Sequence, residues 1–264
     1  MIANTLLLAA ERRNGATVLT RMRAEGLWRT SRPFREGEAA RIVLAQLGPG
    51  MIRGDCFAGS GTVGPGAQLI VAGQMATRIL PGREPVTTSA TWSVEEGGML
   101  DLYAEPTMIC DGAIYEARLT IALTGDARAI VSEIVACAPS ASARFATNVT
   151  RDGNAALIDV LKLDPEARAP IADVIGTLLI LGPADHKTLD QVAEDCPNVR
   201  VGIGTFHQGD SIARIVGTQV EPVREAIARL RAASNPEGAW GAPRPHRGHS
   251  EPAKARRAES AVQT

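Results

Sequence analysis

The sequence predicts a mainly β protein, in which antiparallel or mixed sheets are followed by two helices near the C-terminus. Three observations support this fold class. Short apolar and β-branched runs recur at a spacing of roughly 8–12 residues, as in chains built from many strands. Turn-forming residues separate these runs, and many of the 26 glycines lie there. Helical periodicity, with apolar residues three and four positions apart, appears only in the last third of the chain.

The N-terminal part of the chain is predicted to consist of strands joined by turns. The pair Asn14-Gly15 is a strong hairpin signal, because both residues tolerate the positive φ of a tight two-residue turn. The residue before Pro33 avoids the α region, so the chain stays extended there. The strands predicted in this part cover residues 5–10, 16–22, 26–34 and 39–47.

The glycine-rich stretch 47–82 is the least ordinary part of the sequence. Turns with the sequence Gly-Pro-Gly, at 48–50 and 64–66, enclose the pair Gly54-Asp55. The stretch contains neither GxxxxGK[ST] nor a GxGxxG that opens a helix, so a phosphate-binding loop is excluded. We expect tight turns between strands instead.

The middle of the chain continues the pattern of strands and turns. Turn residues at 95–98 and 124–126 separate pairs of strand candidates. Repeated hairpins in an antiparallel or meandering sheet are the simplest architecture for such a series. The strands predicted here cover residues 67–72, 86–94, 99–104, 113–123 and 127–138.

After residue 164 the sequence changes character and predicts a mixture of strands and two helices. In the second helix, residues 222–233, the side chains of Val223, Ile227 and Leu230 share one face. A shorter helix is predicted to begin near Thr188. The strands predicted here cover residues 174–182, 198–206 and 211–217.

Composition predicts one β-rich domain, residues 1–234, followed by a disordered tail, residues 235–264. The tail consists mostly of Pro, Gly, Ala and charged residues, which cannot bury enough apolar surface to offset the entropy of ordering. The formal net charge of −1 argues against a nucleic-acid partner. No apolar stretch is long enough to span a bilayer and the N-terminus lacks the basic region of a signal peptide, so we expect a cytoplasmic protein without a membrane partner.

No catalytic constellation is recognisable in the sequence, and we expect a protein that is not an enzyme. Ser60 lies between two glycines but not in the GxSxG pattern of a nucleophile elbow. His186 and His207 lie in predicted loops without the spacing of metal ligands, and His246 and His249 lie in the tail. The four cysteines are far apart and form no CxxC pair.

Several acidic residues lie within or beside apolar strands. A carboxylate in such a place costs desolvation free energy unless it is hydrated, paired or bound to a cation. Two interpretations are open: the carboxylates point to the solvent face of a half-buried sheet, or they line a polar passage. Oxygen ligands along a hydrated channel would let a divalent ion pass without holding it tightly. These acidic residues are Asp55, Glu105, Glu133 and Asp159.

The order of motifs in the glycine-rich stretch resembles the UreD (also called UreH) family of urease accessory proteins. Residues 49–55 are similar to the family pattern GG[IV]-[VA]-GGD, and residues 73–79 are similar to its Gly-Ala-x-Lys-aromatic element. Arg53 replaces a glycine of the first pattern. In the second pattern Arg78 stands for the lysine and Leu80 for the aromatic residue.

The resemblance continues over residues 6–233. Glu133 occupies the acidic position of a strand that in the family usually carries Trp-[DE]. Asp159 takes the acidic position in a segment that resembles the pattern G-x-[LP]-[LI]-[LV]-x-[ED]-x-L. Residues 138–144 differ from the Gly-Arg and Gly-Glu stretch of typical relatives. Further segments similar to the family cover residues 100–106, 111–113 and 213–216.

The resemblance implies an elongated β-sheet body that acts as a non-catalytic scaffold. Members of the family bind apo-urease and the accessory proteins UreF and UreG, the latter a nickel-binding GTPase, and they support delivery of Ni²⁺ to the urease active site. The resemblance also implies an internal polar channel, no tightly bound cofactor and only transient binding of Ni²⁺. The candidates that it indicates for this channel or for partner contacts are Asp55, Thr77, Arg78, Glu105, Glu133 and Asp159.

An alternative function centres on the Gly54-Asp55 loop. A β-rich small-molecule enzyme or ligand-binding protein would use this loop as its site. It would then have a deep pocket there, with converging polar groups and a titratable residue whose pKa is strongly shifted. A shallow surface at Asp55 would argue against this function.

Overall fold

The computed structural model describes residues 4–166, 173–206 and 209–234. Strands dominate it and two helices lie near the C-terminal end, which confirms the predicted fold class. The helices are α1 (His186–Glu194) and α2 (Val220–Ala233). The strands are β1 (Asn4–Arg13), β2 (Ala16–Ala24), β3 (Trp28–Thr30), β4 (Phe34–Glu36), β5 (Ala39–Gln46), β6 (Cys56–Val63), β7 (Gln68–Gly73), β8 (Thr77–Ile79), β9 (Val86–Val94), β10 (Met99–Tyr103), β11 (Thr107–Ile109), β12 (Ile114–Leu123), β13 (Arg128–Cys137), β14 (Ser142–Arg151), β15 (Asn154–Leu163), β16 (Val174–Leu181), β17 (Arg200–Thr205) and β18 (Ser211–Gly217).

The strands form two mixed sheets, and the chain winds between them. One sheet has the order β15-β14-β12-β9-β6-β1-β2, and the main path of the other is β17-β18-β16-β13-β10-β7-β5-β3. From β5 to β14 the chain passes back and forth between the sheets and so forms a coil. Each turn of this coil adds one long strand to each sheet. Strands that become neighbours in this way run parallel, as in β9 with β12 and β10 with β13. The short strands β8 and β11 pair with each other at one side of the coil.

The predicted hairpins in the middle of the chain are therefore wrong. The turns at 95–98 and 124–126 do not pair the strands on either side; they carry the chain from one sheet to the other. Successive turns stack and hydrogen-bond to one another: Gly97 N donates to Asp126 Oδ1 at 2.6 Å, and Gly125 N donates to Asp152 Oδ1 at 2.8 Å. Turn residues specify that the chain reverses, but the partner of each strand is set by this stacking.

The hairpin predicted at Asn14-Gly15 is confirmed. β1 and β2 pair antiparallel, and the turn residues have φ values of 50° and 78°. This conformation suits Asn and Gly because neither incurs a large steric cost at positive φ. The hairpin places β2 at one edge of the seven-stranded sheet, and β15 forms the other edge through a second antiparallel pairing.

The space between the sheets is filled by two apolar clusters. Leu8, Trp92 and Leu100 belong to the first cluster, and Phe57 and Tyr115 belong to the second. Close packing in the first cluster depends on a glycine, since a Cβ at residue 61 would lie 2.1 Å from Cζ3 of Trp92. Aliphatic side chains supply most of both clusters, as the 3% aromatic content requires.

Both helices pack on the outer face of the eleven-stranded sheet, which gives the protein a third layer. Val223, Ile227 and Leu230 of α2 are fully buried there, in the arrangement that their spacing predicts. The shorter predicted helix is α1, and Asp185 caps it by accepting a hydrogen bond from Thr188 N at 3.3 Å. No helix in the described part of the chain is long and apolar enough to cross a membrane. The predicted tail, residues 235–264, lies outside the described residues.

Candidate functional site

A cavity of about 300 Å³ lies between the two sheets, where residues of both apolar clusters face each other. It is lined mainly by apolar side chains, with a smaller polar part. The seven-stranded sheet leaves room for it by carrying small residues on neighbouring strands, among them Gly59, Ala90 and Ala117. The opposite sheet contributes polar groups, including Glu133 and Thr177.

The cavity brings together four of the six residues predicted from the sequence. The lining includes Thr77, Glu105, Glu133 and Asp159, all of them half-buried. These residues come from four different segments of the chain, so the winding of the two sheets is what collects them. The sequence interpretation in which acidic side chains face an interior passage is compatible with their placement.

Asp55 and Arg78 do not line this cavity. Asp55 closes a turn, because its Oδ2 accepts a hydrogen bond from Ile52 N at 2.8 Å. Arg78 is exposed on β8 and borders a separate cleft of about 120 Å³. Asp55 also does not line the open cleft beside its loop, which is bounded by Ile52, Arg53 and Gly82. The deep pocket that the alternative function requires at Gly54-Asp55 is therefore not formed by Asp55.

Glu133 is the most perturbed acidic residue of the cavity. It lies on β13 and, within the described residues, makes no hydrogen bond or ion pair. Burial raises the pKa of its carboxyl to about 7, because the ionised form loses hydration; the nearby Arg214 guanidinium opposes this shift and the Asp159 carboxylate adds to it. Near neutral pH, Glu133 can therefore hold or release a proton.

Asp159 and Arg214 connect the two sheets beside Glu133. Asp159 lies on β15, and its Oδ2 accepts a hydrogen bond of 2.5 Å from Nη2 of Arg214 on β18. Arg214 also donates from Nη1 to the hydroxyl of Thr177. Thr177 is the register partner of both Glu133 and Arg214, so these three residues form one row across β13, β16 and β18.

Glu105 is held by the last helix. Its Oε2 accepts a hydrogen bond of 2.8 Å from Nη1 of Arg224 on α2. The backbone at Glu105 also lies close to Gly73, where a Cβ would be 2.9 Å from Glu105 N. The position of this carboxylate at the cavity therefore depends on the docking of α2.

Two buried donors on the cavity wall have no protein acceptor among the described residues. They are Nε1 of Trp28 and Nε2 of Gln46. Buried N–H groups in folded proteins are almost always satisfied, either by protein or by ordered water. Both residues line the cavity, and each of the two nitrogens is itself buried.

Sequence reasoning missed Arg214, which binds one of the predicted carboxylates. A signal for it existed, since Arg214 interrupts the apolar strand Ser211–Gly217 on the face that points between the sheets. His186, predicted in a loop, is instead the first residue of α1, with its Nδ1 3.1 Å from Ser211 Oγ. His207, His246 and His249 lie outside the described residues. Within the described residues, no group of three or more His, Cys, Asp or Glu is placed to hold a metal ion.

Comparison with known proteins gives a consistent result over most of the chain. Residues 3–249 match the model of the family described as UreD urease accessory protein. A urease accessory protein UreD of Sorangium cellulosum (strain So ce56) is 27% identical over 241 residues, covering 82% of this chain and 77% of that protein. Proteins of the same name from Methylobacterium sp. (strain 4-46) and Bacillus sp. (strain TB-90) are 27% and 23% identical, covering 82% and 86% of this chain and 85% and 92% of theirs.

Proposed function

Since this chain belongs to the UreD family of urease accessory proteins, we propose that it is a non-catalytic scaffold for the insertion of nickel into urease. In this role it binds apo-urease together with UreF and UreG and supports the delivery of Ni²⁺ to the urease active site. Ni²⁺ is the cargo, bound in passing, and no cofactor is held tightly.

The observation that carries this proposal is the placement of three carboxylates, together with threonine hydroxyls, on one interior cavity. Carboxylate and hydroxyl oxygens suit hard cations better than Ni²⁺, which prefers imidazole nitrogen. A cavity that offers mainly oxygen ligands therefore binds Ni²⁺ weakly, as a passage must if the ion is to leave again. The residues in question are Thr77, Glu105, Glu133, Asp159 and Thr177.

Polar side chains on the cavity wall favour a hydrated passage, because water hydrogen-bonds to the carboxylates and hydroxyls there. A hydrated ion can exchange its water ligands for the carboxylates one at a time, which avoids the cost of stripping the ion in an apolar interior.

The predicted residues outside the cavity are assigned to partner contacts. Arg78 is exposed beside the 120 Å³ cleft, and Asp55 shapes the turn that follows Ile52. Ile52 and Met75 are exposed apolar residues, with 52% and 70% of their surfaces accessible. Exposed apolar groups next to a polar rim are typical of surfaces that bind other proteins.

Deletion and complementation test the proposal. A strain without this protein, grown with a normal nickel supply, is expected to make urease protein that lacks nickel and activity. Complementation with the intact chain should restore activity, and affinity capture of the chain should recover UreF, UreG and apo-urease. Full urease activity in the deletion strain would refute the proposed function.

Replacement of the cavity carboxylates tests the passage separately. The variant Glu133→Gln/Asp159→Asn keeps the side-chain volumes, so capture of the partners is expected to stay intact while urease activation slows. Unchanged activation by this variant would show that the ion does not pass through the cavity, even if the scaffold role holds.

A further inference from the structure

Arginines from the C-terminal part of the chain bind two of the cavity carboxylates. Arg214 binds Asp159 at 2.5 Å and Arg224 binds Glu105 at 2.8 Å. Both of these carboxylates line the cavity. Within the described residues, Glu133 is the cavity carboxylate that has no such partner.

The pair of Arg214 and Asp159 is built differently from an ordinary surface ion pair. Both side chains are mostly buried, with 28% and 23% of their surfaces accessible. Arg214 is held at two points, by Asp159 on one sheet and by Thr177 on the other. It therefore stands across the gap between the sheets, beside Glu133, with which it makes no direct ion pair.

This geometry determines which carboxylates an incoming cation can use. Asp159 Oδ2 is occupied by a guanidinium, and a divalent ion must compete with that positive charge to reach it. A dication and a guanidinium that approach the same carboxylate repel each other, and the repulsion is stronger in a protein interior than in water. Glu133 is open to the cavity, but one carboxylate alone binds a divalent ion weakly.

We propose that Arg214 is a displaceable internal counter-cation, which occupies Asp159 when the cavity is empty and gives way when a divalent cation binds to Glu133 and Asp159. This inference rests on the proposed passage of Ni²⁺ through the cavity and assigns the residue that regulates it. Because Arg214 competes for Asp159, the two carboxylates do not bind a divalent ion tightly. It also returns to Asp159 as the ion leaves, which favours release.

The opposite design would store the ion. Without Arg214, two adjacent carboxylates would repel each other, and a dication would relieve that repulsion by binding both. Affinity would rise and release would slow, because most differences in affinity between related complexes appear in the dissociation rate. Arg214 therefore lowers the affinity of the cavity for Ni²⁺, and this allows the ion to be released to the next site.

The test compares Ni²⁺ binding and urease activation for a set of variants of the full-length chain. Ni²⁺ binding is measured by calorimetry; the tail histidines are unchanged in every variant, so their contribution cancels. Arg214→Met is expected to lower the Kd for Ni²⁺ about tenfold, because it removes the competing cation. The same variant should activate urease more slowly. Arg214→Lys keeps the charge and should resemble the unmodified chain in both measurements.

A matched control separates this effect from a general loss of an ion pair. Arg41 pairs with Glu36 at 2.9 Å, and these side chains are 20% and 30% accessible, similar to Arg214 and Asp159. The pair does not line the cavity. Arg41→Met should therefore destabilise the protein to a similar extent and leave Ni²⁺ affinity unchanged.

A second variant keeps the test decisive if Arg214→Met fails to fold. Arg214→Gln removes the charge but keeps a hydrogen-bond donor near Asp159, and it should also lower the Kd for Ni²⁺. Adding Glu133→Gln to either Arg214 variant should cancel the gain in affinity. Equal Ni²⁺ affinity in the folded Arg214 variants and the unmodified chain would overturn the inference.

The same data distinguish failure of the inference from failure of the proposed passage. If Glu133→Gln/Asp159→Asn slows urease activation while Arg214→Met leaves Ni²⁺ affinity unchanged, the passage stands and the role of Arg214 is wrong. If Arg214→Met tightens Ni²⁺ binding but no cavity variant alters activation, the counter-cation is real and the passage is wrong.

Discussion

Arg231 of α2 donates from Nη2 to both carboxylate oxygens of Asp101, at distances of 2.7 and 2.6 Å, in the interior of the protein. Only 6% of Arg231 and 1% of Asp101 are accessible. The guanidinium also lies over the ring of Tyr103, with its Cζ 5.3 Å from the ring centroid. This pair fixes the C-terminal end of α2 to β10 and thereby sets the position of the helix that holds Glu105.

Loss of Arg231 should therefore destabilise the protein strongly. Arg231→Met leaves the Asp101 carboxylate buried without a partner, and removal of one member of a buried pair typically costs about 3–5 kcal/mol. Denaturant unfolding measures the change. Arg229→Met on the exposed side of the same helix, where Arg229 contacts the Asp195 carbonyl at 2.6 Å, should cost less than about 1 kcal/mol. Equal losses for the two variants would contradict a special role for the buried pair.

The stability of the protein should depend on Glu133 in a defined pH range. The folded pKa of about 7 lies above the ordinary glutamate pKa of 4.5, so the folded state holds the proton more tightly than the unfolded state. Stability from this group is therefore highest below pH 4.5 and falls as the pH rises toward 7. Glu133→Gln should match the unmodified chain near pH 4 and exceed its stability by about 2–3 kcal/mol at pH 8.

Urea unfolding of Glu133→Gln and of the unmodified chain across this range is the measurement. Glu116→Gln, at an exposed position on β12, provides the control and should show no such pH-dependent difference. A difference between Glu133→Gln and the unmodified chain that stays constant from pH 4 to 8 would show that Glu133 is not perturbed by burial.

A single methyl group at residue 61 should disturb the core. The Cβ of Gly61→Ala would lie 2.1 Å from the Trp92 ring, and Trp92 is only 3% accessible, so the ring or the sheet must shift. Overpacking of this kind costs about 1–3 kcal/mol. Gly59→Ala on the same strand has no heavy atom nearer than 3.8 Å and should be close to neutral. Unfolding free energies and near-UV circular dichroism compare the two; identical stabilities would rule out the close contact.

Asp55 should contribute to stability through its turn. Asp55→Ala removes the acceptor for Ile52 N, and the loss of one such hydrogen bond costs about 1 kcal/mol. Asp55→Asn keeps an acceptor oxygen and should preserve most of the stability. Thermal unfolding measures this, and affinity capture of UreF and apo-urease is compared for both variants. Reduced capture by Asp55→Asn at full stability would indicate direct contact with a partner, whereas altered Ni²⁺ affinity would contradict the placement of Asp55 outside the cavity.

The strands could be predicted from the sequence because the information for them is local. β12 and β13 are recognisable from β-branched and apolar runs bounded by Thr124-Gly125-Asp126. Their pairing could not be predicted in the same way. The carboxylate that completes this turn belongs to Asp152, 27 residues after Gly125, and no local pattern indicates that the two turns stack.

The candidate site was predictable in part for the same reason. Glu133 and Asp159 attract attention as carboxylates within apolar strands, and both do line the cavity. The arginines that hold carboxylates lie far along the chain: Arg214 is 55 residues from Asp159, and Arg224 is 119 residues from Glu105. Pairings between residues so far apart in the sequence follow from the way the chain winds between the sheets, and no local sequence pattern predicts that winding.

The order in which these partners are synthesised has a consequence for the newly made protein. Asp101, Glu105 and Asp159 leave the ribosome before Arg231, Arg224 and Arg214, which follow by 130, 119 and 55 residues. Until translation reaches residue 231, the coil contains acidic groups that resist burial and a sheet face that no helix covers. We therefore expect the interior to close only after α2 has been synthesised.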